Sequence, residues 1–408
     1  MSITLVKEGK NEGKYRVRVQ PVDPITGERY SLPVQYASSQ KEAEKIEQRL
    51  WGKSADGNDR VTAGKQFIKL FDEYVEEGYR GGKWSVGTYK AWKYSSDIFH
   101  EYFPKAKMKD MRQQRIREFA RKFVTDRNLS VNANSVVVRR LTHMRSFLGQ
   151  YVGSVYRINP VPERALNQFF RIDEMTEERQ RYVLSDSEIN ALVTEIELGL
   201  NFREPYRCIS RLAIYVDLLT GMRPQEVQAL TWDSLIEQNG EYLFRLSDSW
   251  NEHEYKLNGH LKARKRGATR ITLPISPKLK GYLDEFKVSQ EKYLRERGIT
   301  NQHNFIFLNL NDYKKCSMGY PVTQTSLNQM LRHLGNKIGL SIGNRTWTMY
   351  SLRHTVATKL GGTPGMSYPW AAERMGHTLA EFTRTYVHSD RDMDTRMTKL
   401  WLNSSAQG

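Results

Sequence analysis

The feature that most constrains how this chain folds is the helical spacing of its apolar residues between about positions 62 and 155. Apolar residues recur there at intervals of three and four, which places them on one face of an α-helix and leaves polar residues on the other. The clearest examples are Phe67, Leu70, Phe71 and Tyr74, followed by Val137, Val138, Leu141, Met144 and Leu148. We therefore predict an all-helical domain of about four helices at residues 62–165.

A different pattern precedes this helical domain. Residues 14–20 and 29–36 alternate between apolar and polar side chains, and turn-forming residues lie between them at 24–27, so a β-hairpin is predicted. The sequence Ser39-Gln-Lys-Glu42 has the form of a capping box and predicts a helix from Ala43 to Trp51 that ends at Gly52. Residues 1–57 are thus predicted to form a small β-β-α module.

A third domain follows residues 159–162 (Asn-Pro-Val-Pro), where proline removes amide donors and disfavours helix. We expect a linker from there to about residue 180 and the third domain at 180–408. Residues 185–188 (Ser-Asp-Ser-Glu) form a second capping box before a helical repeat. One β excursion interrupts the helices at 242–275 and contains an alternating strand at 269–275. The predicted fold is multi-domain and mainly α, with small β elements.

The charge of the chain points to a polyanionic partner. Lys and Arg number 63 against 46 Asp and Glu, which gives a formal charge of +17. Candidate DNA-contacting residues on the helical domain are Lys90, Lys93, Arg139 and Arg140, although ordinary solvated helix faces explain these residues about equally well. We find neither a signal-peptide core nor a run of 18 apolar residues, so we expect a cytoplasmic, nucleoid-associated protein without a membrane partner.

The two cysteines do not indicate a metal site. Cys208 and Cys316 are far apart in sequence and fall outside the Cys-His spacings that bind zinc. We expect both thiols to be reduced and structural.

An anion-binding position is predicted at Arg223. An apolar run ends in a Thr-Gly turn, and Arg223 then stands at the start of a new helix with Pro224 in its first turn. Helix amides and a guanidinium together suit a phosphate, and Glu226 could hold the guanidinium in place. Taken alone, an arginine of this kind is more often an ordinary surface residue.

Three further features accompany Arg223. Arg353 lies on a predicted amphipathic helix, His377 follows a glycine, and Tyr386 lies nine residues beyond that histidine beside basic groups. A tyrosine at helical spacing is usually a core residue, so the interpretation depends on the joint pattern.

Jointly, these residues resemble the tyrosine recombinase, or phage integrase, family over roughly residues 180–390. The family's Thr-Gly-x-Arg-x-x-Glu motif stands here as residues 220–226, and its Gly-His with a downstream tyrosine stands as Gly376-His377 with Tyr386. Its His-x-x-Arg motif, followed by His-Thr, stands as Tyr350-Ser-Leu-Arg353 and then His-Thr. Because Tyr350 replaces the usual histidine, we expect it to donate a hydrogen bond and not to shuttle a proton.

The resemblance implies site residues and a mechanism. Arg223, Arg353 and His377 would neutralise the non-bridging oxygens of a phosphodiester, with Glu226 orienting Arg223. Tyr386 would attack to give a 3′-phosphotyrosyl intermediate without metal, ATP or any other cofactor. The family's β-hairpin lysine would protonate the leaving 5′-oxygen. Residues 259–270 fit that hairpin. Lys262 is the first choice for the acid and Lys265 the second, and Lys265 and the other basic residues there are candidates for phosphate contacts with DNA.

The resemblance also implies partners. The helical domain would bind core-type attachment sites, the amino-terminal module would bind arm-type sites, and four protomers would assemble on two DNA duplexes. A host DNA-bending protein and a directionality factor are possible additional partners.

Several alternatives share the fold or the chemistry. The amino-terminal module favours a phage or mobile-element integrase over a chromosome or plasmid dimer resolvase. A non-catalytic DNA-binding regulator would be expected to have lost a catalytic group, yet Arg223, Lys262, Arg353, His377 and Tyr386 are all present. A type IB topoisomerase or a hairpin telomere resolvase would use the same chemistry.

Overall fold

The chain forms two compact units, one up to Glu178 and one from Arg179 onward. The structure, a computed structural model, describes residues 3–9, 11–21, 29, 31–55, 60–262, 267–387, 398 and 401–402. No helix in these ranges has both the length and the apolar character needed to cross a membrane. The mainly helical fold with small β elements is confirmed.

The first unit opens with a three-stranded antiparallel sheet. Its strands are β1 (Ile3–Leu5), β2 (Tyr15–Val17) and β3 (Gln35–Ala37), in that order, and helix α1 (Gln40–Ala55) packs against them. The β2–β3 pair matches the predicted hairpin, whose turn at 24–27 lies outside the described residues. Strand β1 was not predicted, because three residues are too short for an alternation to be recognised. The predicted helix end at Gly52 is wrong, since one interior glycine costs only about 1 kcal/mol.

The remainder of the first unit is helical. Its helices are α2 (Arg60–Gly64), α3 (Phe67–Arg80), α4 (Val86–Tyr102), α5 (Gln113–Arg127), α6 (Val136–Gly149) and α7 (Ala165–Phe169). The four long helices agree with the prediction, and they enclose a core of phenylalanines that includes Phe67, Phe71, Phe99 and Phe147. Helix α7 lies in the stretch predicted to be a linker. Phe169 is buried in the same core, so this stretch is packed and not extended.

The second unit is built around one central helix. Its helices are α8 (Asp186–Leu198), α9 (Pro205–Thr220), α10 (Pro224–Gln228), α11 (Pro277–Glu296), α12 (Tyr313–Ser317), α13 (Gln324–Lys337), α14 (Met349–Gly362), α15 (Tyr368–Met375) and α16 (Leu379–Tyr386). Helix α9 is buried along nearly all of its length and packs against α8, α11, α13 and α14. A helix with apolar residues on every face is expected to lie inside a domain.

The β excursion of the second unit begins earlier than predicted. Strands β4 (Leu235–Gln238), β5 (Glu241–Leu246) and β8 (Arg270–Ile271) form an antiparallel sheet in that order, and β6 (Trp250–Asn251) pairs with β7 (Lys256–Leu257). Asn239 and Gly240, with φ of 55° and 78°, form the tight turn between β4 and β5. Strand β8 is shorter than the predicted 269–275 because Pro274 has no amide to donate to a ladder.

Candidate active site

Arg223 is held at the start of α10 by one carboxylate and one carbonyl. Helix α9 ends where Gly221 adopts a left-handed conformation with φ of 60°, and Arg223 then precedes α10. Its backbone amide and its Nη1 donate to the two oxygens of Glu226 at 2.9 and 3.0 Å. Its Nη2 donates to the Gly376 carbonyl at 2.8 Å. The predicted orienting contact between Glu226 and Arg223 is therefore present in the structure.

A second arginine, expected from the sequence only as one of the phosphate-contacting residues of the 259–270 hairpin, instead reaches the same carboxylate. The guanidinium of Arg270, on β8, donates to Glu226 and to the carbonyl of Arg374, and the residue is only 4% exposed. Burial pushes the Glu226 pKa upward, but Arg270 and Arg223 outweigh it and hold the pKa below its usual value. The signal that could have found this residue is an arginine inside an alternating strand, where a charge needs a buried partner.

Arg353 and His377 form a hydrogen bond with each other. The Nη1 of Arg353 donates to the Gly221 carbonyl at 2.8 Å, and its Nη2 donates to the Met375 carbonyl and lies 2.7 Å from Nε2 of His377. Burial, followed by the nearby charges of Arg223 and Arg270, lowers the Arg353 pKa to about 10, so this side chain remains a cation at neutral pH.

His377 is neutral in the free protein. Burial and then the Arg353 charge lower its pKa to about 3. Because Nε2 accepts from Arg353, the ring proton is on Nδ1. Nδ1 is buried and has no hydrogen-bond partner among the described residues. The free histidine therefore holds Arg353 and keeps one N–H group available.

Tyr386 ends α16 and is packed against His377. The two rings are stacked with centroids 5.5 Å apart, and the tyrosine is only 6% exposed. Burial raises the phenol pKa, while the charge of Arg353 opposes that increase. A side chain at Gly361, on α14, would collide with the carbonyl oxygen of Tyr386, so this glycine allows α16 to approach. Gly361 was absent from the sequence-based site.

Tyr350 lies at the edge of this cluster. Its hydroxyl donates to Oε1 of Gln225 at 3.1 Å, and Gln225 belongs to α10 beside Arg223. The expected hydrogen-bond donation is thus observed toward the protein, through a glutamine that sequence reasoning did not select.

Of the two candidate lysines, the structure describes Lys262, which is not joined to the cluster. Lys262 lies on an exposed turn, and no contact among the described residues links it to Arg223, Arg353 or Tyr386. Lys265 lies outside the described residues.

The proposed DNA-contacting residues of the first unit divide into two groups. Lys90, Lys93 and Arg139 are exposed, with Lys93 3.8 Å from Glu76. Arg140 departs from the expectation: it is 2% exposed, and its guanidinium lies over the ring of Tyr94 with a centroid distance of 4.9 Å. Arg140 lies on the buried face of α6, so its guanidinium is not placed to contact a phosphate.

The described residues contain no group of three or more His, Cys, Asp or Glu side chains suited to a metal ion. Cys208 and Cys316 are free and buried, and burial raises the Cys316 pKa to about 11. Both thiols are therefore protonated packing residues at neutral pH.

Comparison with known proteins defines the family. The model of the phage integrase family matches residues 182–393. The fold is similar to that of XerH site-specific recombinase bound to a palindromic difH substrate in a post-cleavage complex, with 16% identity, 90% of each chain covered and a TM-score of 0.58. It is also similar to the Tn1549 transposon integrase in complex with transposon right end DNA, with 18% identity, 82% of this chain and 99% of that one covered, and a TM-score of 0.61.

A third solved structure, a lambda integrase dimer bound to a COC′ core site, covers 93% of this chain and 94% of its own at 13% identity, with a TM-score of 0.51. The search of curated proteins found no match. At these identities the structures establish a shared fold, which is that of tyrosine site-specific recombinases. Because the family model matches more than half of the chain, the chain belongs to the phage integrase family.

Proposed function

We propose that this protein is an integrase that cleaves and rejoins DNA strands through a 3′-phosphotyrosyl intermediate at Tyr386, and that it integrates and excises a phage or other mobile element. The observation that carries the proposal is the convergence of four residues from four separate segments. Arg223 directly precedes α10, Arg353 lies on α14, His377 lies in the turn after α15, and Tyr386 ends α16. Direct contacts link them through Gly376, Met375 and the His377 ring.

The two arginines supply charge for a phosphodiester. Each guanidinium carries five N–H donors, and the contacts above use only some of them, which leaves donors for non-bridging oxygens. Because their protein contacts are already made, the arginines need little reorganisation when negative charge develops in the transition state. Burial depresses the His377 pKa most, and the neighbouring arginine charges depress it further. A bound phosphate offsets those charges and so favours a protonated His377 that donates to the same phosphate.

Strand exchange is possible because the phosphotyrosyl bond retains the energy of the cleaved phosphodiester bond. The Tyr386 oxygen forms a bond to phosphorus, the bond to the 5′-oxygen breaks, and that oxygen leaves with a proton from Lys262 or, as second choice, Lys265. A 5′-hydroxyl from another strand reverses the step. Attack by the buried phenol requires transfer of its proton to solvent water, which the charges of Arg353 and Arg223 favour.

The wider assignments are part of the same proposal. Residues 1–57 would bind arm-type sites, 62–165 would bind core-type sites, and 180–408 would form the catalytic domain, with four protomers on two duplexes. The charge of +17 and the exposed Lys90, Lys93 and Arg139 support DNA as the partner. The protein would act in the cytoplasm on nucleoid DNA, with a host DNA-bending protein and a directionality factor as candidate accessories.

The test is covalent capture on DNA. Overlapping nicked duplexes that cover the DNA on both sides of the gene are incubated with the protein, then denatured and resolved by electrophoresis. We expect one duplex to give a protein–DNA adduct, and Tyr386→Phe to give none while it still binds that duplex. An adduct that persists in Tyr386→Phe would remove Tyr386 as nucleophile. Binding without any adduct would favour the non-catalytic regulator.

The general acid is assigned with a second substrate. A bridging 5′-sulfur leaves as a thiolate without needing a proton. On such a duplex Lys262→Ala should recover the cleavage that it loses on the normal duplex. Rescue of Lys265→Ala alone would transfer the role to Lys265.

A further inference from the structure

We propose that Arg181 is a further catalytic residue, whose guanidinium contacts a non-bridging oxygen of the scissile phosphodiester and supplies charge where Tyr350 stands in place of the family's usual histidine. The inference rests on the proposed function. It follows from the backbone that positions Arg181, from the ring that its guanidinium covers, and from its electrostatic effect on Tyr386.

Backbone pairing fixes Arg181 beside the helix that carries Arg353. The amide of Tyr182 donates to the Thr346 carbonyl at 3.0 Å, and the amide of Thr346 donates to the Gln180 carbonyl at 2.9 Å. These two bonds flank Arg181, and Thr346 lies just before α14 begins. Arg181 is therefore attached to the candidate site by main-chain hydrogen bonds, although it comes from a segment distant in sequence.

The guanidinium of Arg181 lies over the ring of Tyr350, with 5.4 Å between its Cζ and the ring centroid. The Tyr350 hydroxyl on the same ring donates to Gln225, the neighbour but one of Arg223. Arg181 is exposed, and none of the carboxylates in the described part of the chain forms an ion pair with it. An aromatic face holds a cation without neutralising it, so the charge remains available to an anion.

The charge of Arg181 also reaches the proposed nucleophile. Burial raises the pKa of Tyr386, and the charges that lower it are, in order, Arg353, Arg181 and Arg223, with Glu381 acting in the opposite direction. The rings of His354 and His377 also face the phenol. Arg181 thus affects the phenol more strongly than Arg223, so its charge acts within electrostatic range of the proposed nucleophile.

The chemistry of the substitution explains why an arginine is suited to this place. A histidine can carry a positive charge to the phosphate, whereas a tyrosine hydroxyl is neutral and here already donates to Gln225. An arginine is permanently charged and binds phosphate oxygens through two parallel N–H groups. Arg181 therefore restores the cation that Tyr350 does not provide.

The experiment compares Arg181→Ala and Arg181→Lys with Arg179→Ala, an exposed arginine two residues away that serves as the matched control. Cleavage is measured in single turnovers at saturating protein, on the duplex that wild type attacks and on the same duplex with a methylphosphonate at the scissile position. The methyl group removes the negative charge from the reacting phosphate. We expect Arg181→Ala to be about 100-fold slower on the phosphodiester, Arg181→Lys to lie between the two, and Arg179→Ala to match wild type.

The methylphosphonate separates a catalytic role from the alternatives. If Arg181 contacts the reacting phosphate, Arg181→Ala should lose much less rate on the uncharged duplex than on the phosphodiester, and its rate–pH profile on the normal duplex should shift to higher pH, because the charge that lowers the Tyr386 pKa is gone. The same loss on both duplexes would overturn the inference and leave a structural role on Tyr350. A normal rate at saturation with weaker binding would instead mean contact with a flanking phosphate. If wild type forms no adduct with any duplex, the proposed function itself is wrong.

Discussion

Glu226 lies between two guanidinium groups, and this arrangement gives the carboxylate a structural role as well as an orienting one. Its two oxygens accept from Arg223 and Arg270, and it is 1% exposed. A buried anion is stabilised only while its partners remain, and removing one partner from a buried pair costs about 3–5 kcal/mol. Arg270 therefore acts on Arg223 through the carboxylate that both arginines share.

Replacing Arg270 should reveal this dependence. We expect Arg270→Met to lower the free energy of unfolding by about 3–5 kcal/mol, because Glu226 is left with one partner. Urea denaturation measures the change. Arg245→Met is the matched control, since Arg245 lies on the adjacent strand but is exposed, and it should change stability by less than about 0.5 kcal/mol. Equal effects of the two variants would mean that the ion pair with Glu226 does not stabilise the fold.

The acid stability of the protein should depend on His377. Folding lowers its pKa from 6.5 to about 3, so between these values the unfolded chain binds a proton that the folded chain lacks. The free energy of unfolding should therefore be highest above pH 6.5 and decline as the pH falls toward 3. His143 contributes with the same sign, since burial lowers its pKa to about 4. We expect His377→Gln, which retains an acceptor for Arg353, to show a smaller decline between pH 7.5 and 5.5; an unchanged decline would contradict the shift.

At the scale of helices and strands, the sequence could predict contacts between residues that are close together in the chain. The box at Ser185 and Glu188 closes as predicted, with the serine hydroxyl accepting from the Glu188 amide at 3.3 Å. Arg223 and Glu226 also meet within one helical turn. The alternating strand could mark Arg270 as a buried charge but could not identify its partner, because Glu226 lies far away in sequence on α10 and no local pattern encodes that contact. The roles of Lys262 and Tyr386 stay predictions that the adduct experiments test.

The contact between α14 and α16 should be sensitive to one methyl group. A Cβ at Gly361 would collide with the backbone of Tyr386, whereas a Cβ at Gly362 meets nothing within 4 Å. Gly361→Ala should displace Tyr386 and slow adduct formation by about 100-fold, the effect of a displacement near 1 Å. Gly362→Ala is the matched control and should react at the wild-type rate. If Gly361→Ala also reacts normally, α16 can shift without affecting the reaction, and the close approach is not required.

At the scale of the whole molecule, the effect of net charge on DNA affinity has to be distinguished from the effect of the residues that contact DNA phosphates. A net charge of +17 attracts any polyanion, but only residues that touch phosphates release counterions in proportion to their number. Lys90, Lys93 and Arg139 share the exposed surfaces of α4 and α6. Lys287, Lys292 and Arg295 are equally basic and exposed but lie on α11 in the other unit. Replacing either trio by alanine removes the same charge.

The two triple variants should therefore behave differently on DNA. The logarithm of the binding constant for a duplex of arbitrary sequence falls linearly with the logarithm of salt concentration, by about 0.9 for each phosphate contact. If the helical domain binds DNA as proposed, replacing Lys90, Lys93 and Arg139 should reduce that slope by up to ~2.7. Replacing the three α11 residues should leave the slope unchanged, because they lie outside the proposed DNA-binding surface on α4 and α6. Fluorescence anisotropy across a salt series measures both slopes, and equal reductions would mean that net charge, and not a surface on α4 and α6, governs the affinity.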